Sequence, residues 1–344
     1  MKINRIDNGG IKGYVKEVKL MTNVDWDDIF SKITDHETTI CTYGDPDNQY
    51  NPFFRKHLPH MKNLMLVLGC GPDKNKKSFF ESKVRALNPN IKLYLKWDTH
   101  AKVVLIAPDE VYISSQNVGI SDWFQVTAYI KDKDMYKQYK ENVDNYALNG
   151  QITKLYRREK NKKSTGKTWV CPKKLNPLPT ASHKIVRYVE CKASHMYNWN
   201  QKFNNIKDRN FIISTYSLPN DDYLVRMIRK LLDYNNTVTL VANSKFKEAA
   251  DSLKKEVNNK NFTIELRPDL HAKMVLCSNN SVWLGSHNFG DSTWFEEMIQ
   301  FVRNKDVHDF YYNEFMKYMN KDEWKFTGYI RKVVDSSITM PITA

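Results

Sequence analysis

Two histidines, two lysines and two asparagines recur in this chain at one spacing, and they are the side chains a phosphoryl-transfer site needs. His100 stands two residues before Lys102, and Asn117 follows fifteen residues after that lysine; His271, Lys273 and Asn288 repeat the pattern at an offset of 171. An imidazole can attack phosphorus or hand a proton to a leaving oxygen, an ammonium can neutralise a non-bridging oxygen, and a carboxamide can donate a hydrogen bond to another. A lone His-x-Lys is a weak signal, but context strengthens it. Asp98-Thr99-His100-Ala101-Lys102 matches Asp269-Leu270-His271-Ala272-Lys273, Ser115-Gln116-Asn117 matches Ser286-His287-Asn288, Gly119 matches Gly290, and Ser121-Asp122-Trp123-Phe124 matches Ser292-Thr293-Trp294-Phe295. Upstream, Cys41-Thr42-Tyr43 with Pro46 resembles Ser214-Thr215-Tyr216 with Pro219 at an offset of 173. The two halves are internal repeats.

These side chains need elements that aim them at one point. The first half reads as strands at Thr38–Tyr43, Leu64–Leu68, Ile91–Lys96, Ala101–Ile106, Val111–Ser115 and Gln125–Ile130, with helices at Asn51–Pro59, Asn75–Leu87 and Asp134–Tyr146. The second answers with strands at Asn210–Tyr216, Thr237–Val241, Phe262–Arg267, Ala272–Cys277, Val282–Gly285 and Glu296–Val302, and helices at Asp221–Leu232, Lys245–Val257 and Val307–Tyr318. Strands alternating with helices of this length imply an α/β fold, two pseudo-symmetric repeats, each a mixed β-sheet flanked by helices. On a strand, side chains alternate with period two, so His and Lys two apart share a face. The next strand ends in the polar turn that delivers each asparagine. Packed face to face, the repeats would bring both triplets to one central site. Thr42, Tyr43, Thr215 and Tyr216 close the first strand of each half, where open α/β sheets place ligands.

Composition bounds the class. With 344 residues, 41% hydrophobic and 12% aromatic, the chain has material for a packed core, which excludes wholesale disorder and a collagen-like fibre. The most apolar stretch, Leu64–Gly71, is far shorter than the ~18–20 residues a bilayer span needs. Five scattered cysteines, Cys41, Cys70, Cys171, Cys191 and Cys277, form no Cys-x-x-Cys pair. This argues against a disulfide framework or zinc site and fits a reducing, cytoplasmic or nuclear compartment. The net charge of +14 is concentrated: residues 151–192 hold 12 basic and two acidic side chains. With its prolines and Ser164-Thr165-Gly166, that stretch reads as an irregular loop, and its charge as the footprint of a polyanion binder. DNA comes first, with RNA beside it and no membrane; Lys162, Lys163 and Lys167 are the densest candidates. A solvated linker is the plainer alternative. The organisation expected is a first repeat over 1–150, a basic insert over 151–205 and a second repeat over 206–344.

Leu284-Gly285-Ser286-His287-Asn288 and the two His-x-Lys pairs resemble the phospholipase D superfamily, whose signature is His-x-Lys followed by Gly-Ser-x-Asn; Ser114-Ser115-Gln116-Asn117 is a looser match. The phospholipases carry an Asp five residues after the lysine, where this chain has Ala107 and Ser278. It is therefore more similar to the His-Lys-Asn branch, which includes tyrosyl-DNA phosphodiesterases and superfamily nucleases. That branch pairs a glutamine with the first triplet and a glutamate with the second, which implies Gln125 and Glu296. The resemblance implies a metal-independent DNA phosphodiesterase with no cofactor: His100 is the nucleophile, forming a phosphohistidine, and His271 is the general acid and then base. Lys102, Lys273, Asn117 and Asn288 would neutralise the equatorial oxygens. Ser115, Ser286 and His287 are expected to contact substrate; Trp123 and Trp294 stack on a base or pack in the core. With both repeats in one chain, a dimer is not required. A phospholipase D-type lipid enzyme and a nucleic-acid-binding module on the same fold are the alternatives.

Overall fold

The computed structural model describes residues 4–5, 11–44, 53–71, 74–119, 121, 123–149, 168–170, 180–194, 199–219, 222–278, 280–290, 292, 294–320 and 332–334. The first repeat runs β1 (Asn4–Arg5), β2 (Ile11–Met21), α1 (Trp26–Phe30), β3 (Glu37–Tyr43), α2 (Phe53–His57), β4 (Asn63–Gly69), α3 (Lys74–Leu87), β5 (Lys92–Lys96), β6 (Val103–Ile106), β7 (Glu110–Ser114), β8 (Thr127–Lys131) and α4 (Lys133–Asn149). After β9 (Thr168–Val170), the same order returns. It runs β10 (Thr180–Ser194), α5 (Trp199–Lys202), β11 (Asn210–Thr215), α6 (Asp222–Asp233), β12 (Thr237–Asn243), α7 (Lys247–Val257), β13 (Phe262–Arg267), β14 (Met274–Cys277), β15 (Ser281–Gly285), β16 (Glu296–Phe301) and α8 (Lys305–Met319), with β17 (Lys332–Val334) pairing β9.

The two repeat sheets join edge to edge. The strand order is β13-β12-β11-β14-β15-β16-β10-β2-β8-β7-β6-β3-β4-β5, so β2 and β10 sit at the centre of a pseudo-twofold arrangement. In each half the outer three strands are parallel and the inner ones antiparallel. Parallel strands covered on both faces should be nearly continuous in apolar residues, and β4 (Asn-Leu-Met-Leu-Val-Leu-Gly) is. α6 buries Leu224, Val225, Met227, Ile228, Leu231 and Leu232, the i, i+3, i+4 stripe that holds a helix on a sheet.

Three cores result. One is shared by both repeats: Val18, Val103, Ile113 and Phe124 meet Met274, Leu284 and Phe295 under Tyr139 of α4 and Tyr311 of α8. The other two belong to single repeats, one around Trp26 and Phe30 and one around Trp199 and Phe203.

The irregular loop expected over 151–192 is corrected in part, because Thr180–Ser194 is a fifteen-residue strand at the centre of the sheet. Its backbone needs pair it with β2 and β16 whatever its side-chain charge. Lys162, Lys163 and Lys167 lie outside the described residues. The expected helix Asn51–Pro59 is shorter: α2 covers Phe53–His57, and a 3-10 turn, Leu58–His60, takes up Pro59. No helix among the described residues is long and apolar enough to cross a membrane.

Candidate active site

His100 and Lys102, and likewise His271 and Lys273, sit not within β6 and β14 but on the extended segments that lead into them. The reason is a backbone exchange between repeats. His100 N–H donates to Phe295 O (2.9 Å) and Phe295 N–H to Asp98 O (2.8 Å). The mirror pair is His271 N–H to Phe124 O (3.1 Å) and Phe124 N–H to Asp269 O (2.9 Å). Each bridge is locked from the helical layer: Tyr146 donates to Asp98 Oδ1 (2.5 Å) and stacks on Phe295 at 3.9 Å, while Tyr318 donates to Asp269 Oδ1 (2.9 Å) and stacks on Phe124 at 4.5 Å. The residue after each phenylalanine is thereby carried to the other repeat's histidine.

His100 Nδ1 lies 2.9 Å from Glu296 Oε1, and His271 Nδ1 lies 3.1 Å from Gln125 Oε1. The pairing expected within each triplet is thus corrected: glutamate serves the first histidine and glutamine the second. The network assigns the tautomer of His271. Val126 N–H donates to Ser115 Oγ, so the Ser115 hydroxyl gives its proton to Gln125 Oε1 (2.7 Å), while Gln125 Nε2 donates to Ser121 Oγ (3.1 Å). Gln125 Oε1 is therefore an acceptor, and His271 presents N–H at Nδ1. On the other side a carboxylate can only accept, so His100 also carries its proton at Nδ1. Nε2 is left as the nucleophilic or proton-carrying atom of each ring.

Burial and then the Lys102 ammonium push the His100 imidazole down to about 4. Burial, then Lys273 and Lys102, hold His271 well below the usual imidazole value. Burial alone would raise Glu296, but His287 and His100 outweigh it and bring that carboxyl down to about 2. An ionised glutamate facing a neutral imidazole follows. Lys102 and Lys273 are buried; burial takes Lys102 down to about 8 against the opposing pull of Glu297 and Glu296, and burial and then Lys102 hold Lys273 well below the usual ammonium value. Each ammonium donates to the carbonyl of its own repeat's histidine.

The asparagine turns are held alike. Thr42 Oγ1 accepts Val118 N–H and Thr215 Oγ1 accepts Phe289 N–H, both at 3.0 Å. Trp26 Nε1 donates to Asn117 O (3.1 Å) and Trp199 Nε1 to Asn288 O (3.4 Å). Asn288 Oδ1 takes Tyr216 and Ser217 N–H at 3.2 Å each, which turns its NH2 end to any incoming oxygen. Gly285 is required sterically, since a Cβ there would lie 2.1 Å from Glu297 O.

Residues 201–319 match the family described as "Cardiolipin synthase, PLD-like domain". The match lies in the second repeat and takes in His271, Lys273 and Asn288. No curated protein matches it in sequence. Among solved structures it is similar to a phosphatidylserine synthase from Haemophilus influenzae Rd KW20, at 9% identity and a TM-score of 0.54, over 92% of this chain and 87% of that one. It is also similar to a polyphosphate kinase from Porphyromonas gingivalis, at 10% identity and a TM-score of 0.54, over 88% of this chain. The chain spans 47% of that kinase's length. At these identities the likeness is one of fold.

The structure brings His100, His271, Lys102, Lys273, Gln125 and Glu296 to one place, with Asn288 anchored beside them on the Tyr216 backbone and Asn117 at the mirror position of the first repeat. It does not bring every expected substrate contact to the open side. Ser115 and Ser286 are buried, their hydroxyls donating to Gln125 Oε1 and Glu297 Oε2. His287 is 2% exposed, with Nδ1 2.6 Å from Asn288 O and Nε2 3.4 Å from Glu296 Oε2, so it faces the carboxylate's far side. Trp123 and Trp294 are half-buried walls rather than core, each against the histidine of the other repeat at 5.6 and 6.0 Å. Glu297 escaped sequence reasoning. It is fully buried, accepts Lys102 N–H (2.8 Å) and the Ser286 hydroxyl (2.6 Å), and burial pushes it up to about 8. Trp26 and Trp199 were missed as well, although Trp26-x-x-x-Phe30 and Trp199-x-x-x-Phe203 repeat at the 173 offset.

Proposed function

We propose that the protein is a phosphodiesterase acting on nucleic acid, DNA first, through a covalent phosphohistidine at His100. The observation that carries this reading is the unequal partnering of the two imidazoles. His100, neutral and donating Nδ1–H to an ionised glutamate, has its Nε2 lone pair free to attack phosphorus in line. The phosphoryl-imidazole formed bears positive charge, which Glu296 stabilises. As the P–O bond breaks, the departing oxygen takes the Nε2 proton of His271, whose charged form the bound phosphate's negative charge favours. Water then gives a proton to His271 and attacks phosphorus, the P–N bond breaks, and both histidines return to their starting states. Lys102, Lys273, Asn117 and Asn288 supply charge and donors to the non-bridging oxygens. The basic residues of 151–192 favour a polyanionic substrate over a small diester.

A second reading, phospholipid headgroup transfer with an alcohol in place of water, draws support from the matched family's description and from the phosphatidylserine synthase likeness. Product analysis in chelator, on single-stranded and duplex DNA, RNA and phospholipid vesicles, separates them. Cleaved DNA is expected; phospholipid turnover without it would move the protein to the second reading. With labelled substrate, His100→Ala should form no covalent adduct and lose roughly 10⁴-fold or more in rate, while His271→Ala accumulates the adduct. An adduct that persists in His100→Ala reverses the two roles.

A further inference from the structure

The two ends of the site differ where β4 and β12 finish. Asn243, last residue of β12, donates from Nδ2 to Pro268 O and Leu270 O (3.0 Å each) and accepts Lys245 N–H (3.1 Å). This pins the turn Ser244–Phe246 against the segment that leads into His271. In register, β4 ends at Gly69, where a Cβ would lie 2.6 Å from Thr99 O, and the position matching Lys245 is Gly71.

Lys245 is exposed, with its Nζ 5.0 Å from the Trp123 ring centroid and 6.0 Å from that of Tyr216. Those rings stack on each other at 5.7 Å and 28°, and lie 5.6 and 4.9 Å from the His271 ring. Phe246 backs Tyr216 at 5.6 Å. Around His100, Tyr43 and Trp294 make the same aromatic frame, at 5.6 and 6.0 Å, with glycine at the place of the cation.

In an in-line displacement by His100, the departing oxygen leaves beside His271, so the rest of the departing group must lie over Trp123 and Tyr216 with Lys245 beyond. An exposed lysine over aromatic rings is only weakly held, so an arriving anion can recruit it. Half-exposed aromatic faces accept any base, whatever its hydrogen-bonding edge. We propose that Trp123, Tyr216 and Lys245 form a subsite for the departing side of the substrate, holding a nucleobase and the phosphate next to the scissile one. This deepens the nucleic-acid reading above and rests on His100 being the nucleophile.

The binding test uses a phosphorothioate single strand, which keeps the charge and resists cleavage, titrated at several salt concentrations. Lys245→Ala should reduce the slope of log K against log salt by about 0.7, the share of one phosphate contact on a single strand. Trp123→Leu should weaken binding roughly tenfold, as the loss of one stacked base would. The kinetic test compares an oligonucleotide with bis(p-nitrophenyl) phosphate, whose departing group carries no second anion. Lys245→Glu should raise KM for the oligonucleotide about tenfold more than for the small diester. An unchanged salt slope, or an equal rise on both substrates, overturns the subsite. A KM rise on phospholipid vesicles alone overturns the nucleic-acid assignment. If the unaltered enzyme cleaves neither diester, the phosphodiesterase reading falls and the kinetic case falls with it.

Discussion

The surroundings of His100 and His271 are built from matching positions but opposite chemistry. His100 and Lys102 are flanked by His287, Glu296 and Glu297 of the second repeat; the same positions of the first repeat are Gln116, Gln125 and Val126, of which Gln125 meets His271. In the second repeat the Ser286 hydroxyl goes to Glu297, which leaves Glu296 free to hold His100 with one oxygen and face His287 with the other. In the first, Ser115 uses Gln125 itself, and Gln116 turns away to Val24 and Gly119. Duplicated backbones bring the parts together symmetrically, and three substitutions give one imidazole a charged support and the other a neutral one, the difference on which the proposed division into nucleophile and proton carrier rests.

Exchanging the two supports is the harshest test of this difference. Glu296→Gln removes the charge that orients His100 and that, in the proposed mechanism, stabilises its phosphorylated form, so kcat should fall by roughly 10³-fold. Gln125→Glu keeps an acceptor for both His271 and Ser115 and should cost only about tenfold, by making His271 release its proton less readily. Steady-state rates over a pH series decide it; equal losses would mean that the two histidines share one role.

Glu297 tests the same asymmetry through stability. Glu297→Val copies the first repeat, but it strips Lys102 N–H and Ser286 of their acceptor and takes away the carboxyl group that favours the charged form of both buried lysines. A loss of about 3–5 kcal/mol is expected in urea unfolding. At the mirror position Val126→Ala should cost only about 2 kcal/mol, the ordinary price of a small cavity. A neutral Glu297→Val would show that its burial is incidental.

Much of the frame was legible because its residues announce their burial. Phe262–Arg267 is a strand with the expected bounds, and the apolar runs of β4 and β12 mark the buried parallel core. β2 and β10 were not legible. Val15, Val18 and Leu20 are buried between exposed Tyr14, Glu17 and Lys19, and β10 is hidden within the most basic part of the chain. The six residues of the two triplets could be found from spacing alone, whereas the partners of the histidines could not. Offset arithmetic assigns Gln125 and Glu296 to their own repeats, and only the backbone exchange through Phe124 and Phe295 shows that they cross.

The smallest effect concerns the protonation of His100 before any substrate arrives. Its imidazole sits at about 4 in the folded protein against an ordinary 6.5. Between those values the unfolded chain binds a proton that the native state refuses, so native stability must fall as pH drops from about 6.5 to about 4 and then level off for this group. Glu296, depressed to about 2 from 4.5, acts lower down: its contribution is present above about 4.5 and is lost as pH falls towards 2. The two windows meet near pH 4, which makes them separable. His100→Gln should remove up to about 3 kcal/mol of the decline between pH 6.5 and 4 and narrow the lower window without abolishing it, since His287 still holds Glu296 down. His271 is lowered too, so part of the upper slope should survive in that variant. If the unfolding free energy of His100→Gln follows the unaltered protein across the whole upper window, His100 takes its proton at the ordinary pH, and burial beside Lys102 does not hold it neutral below that pH.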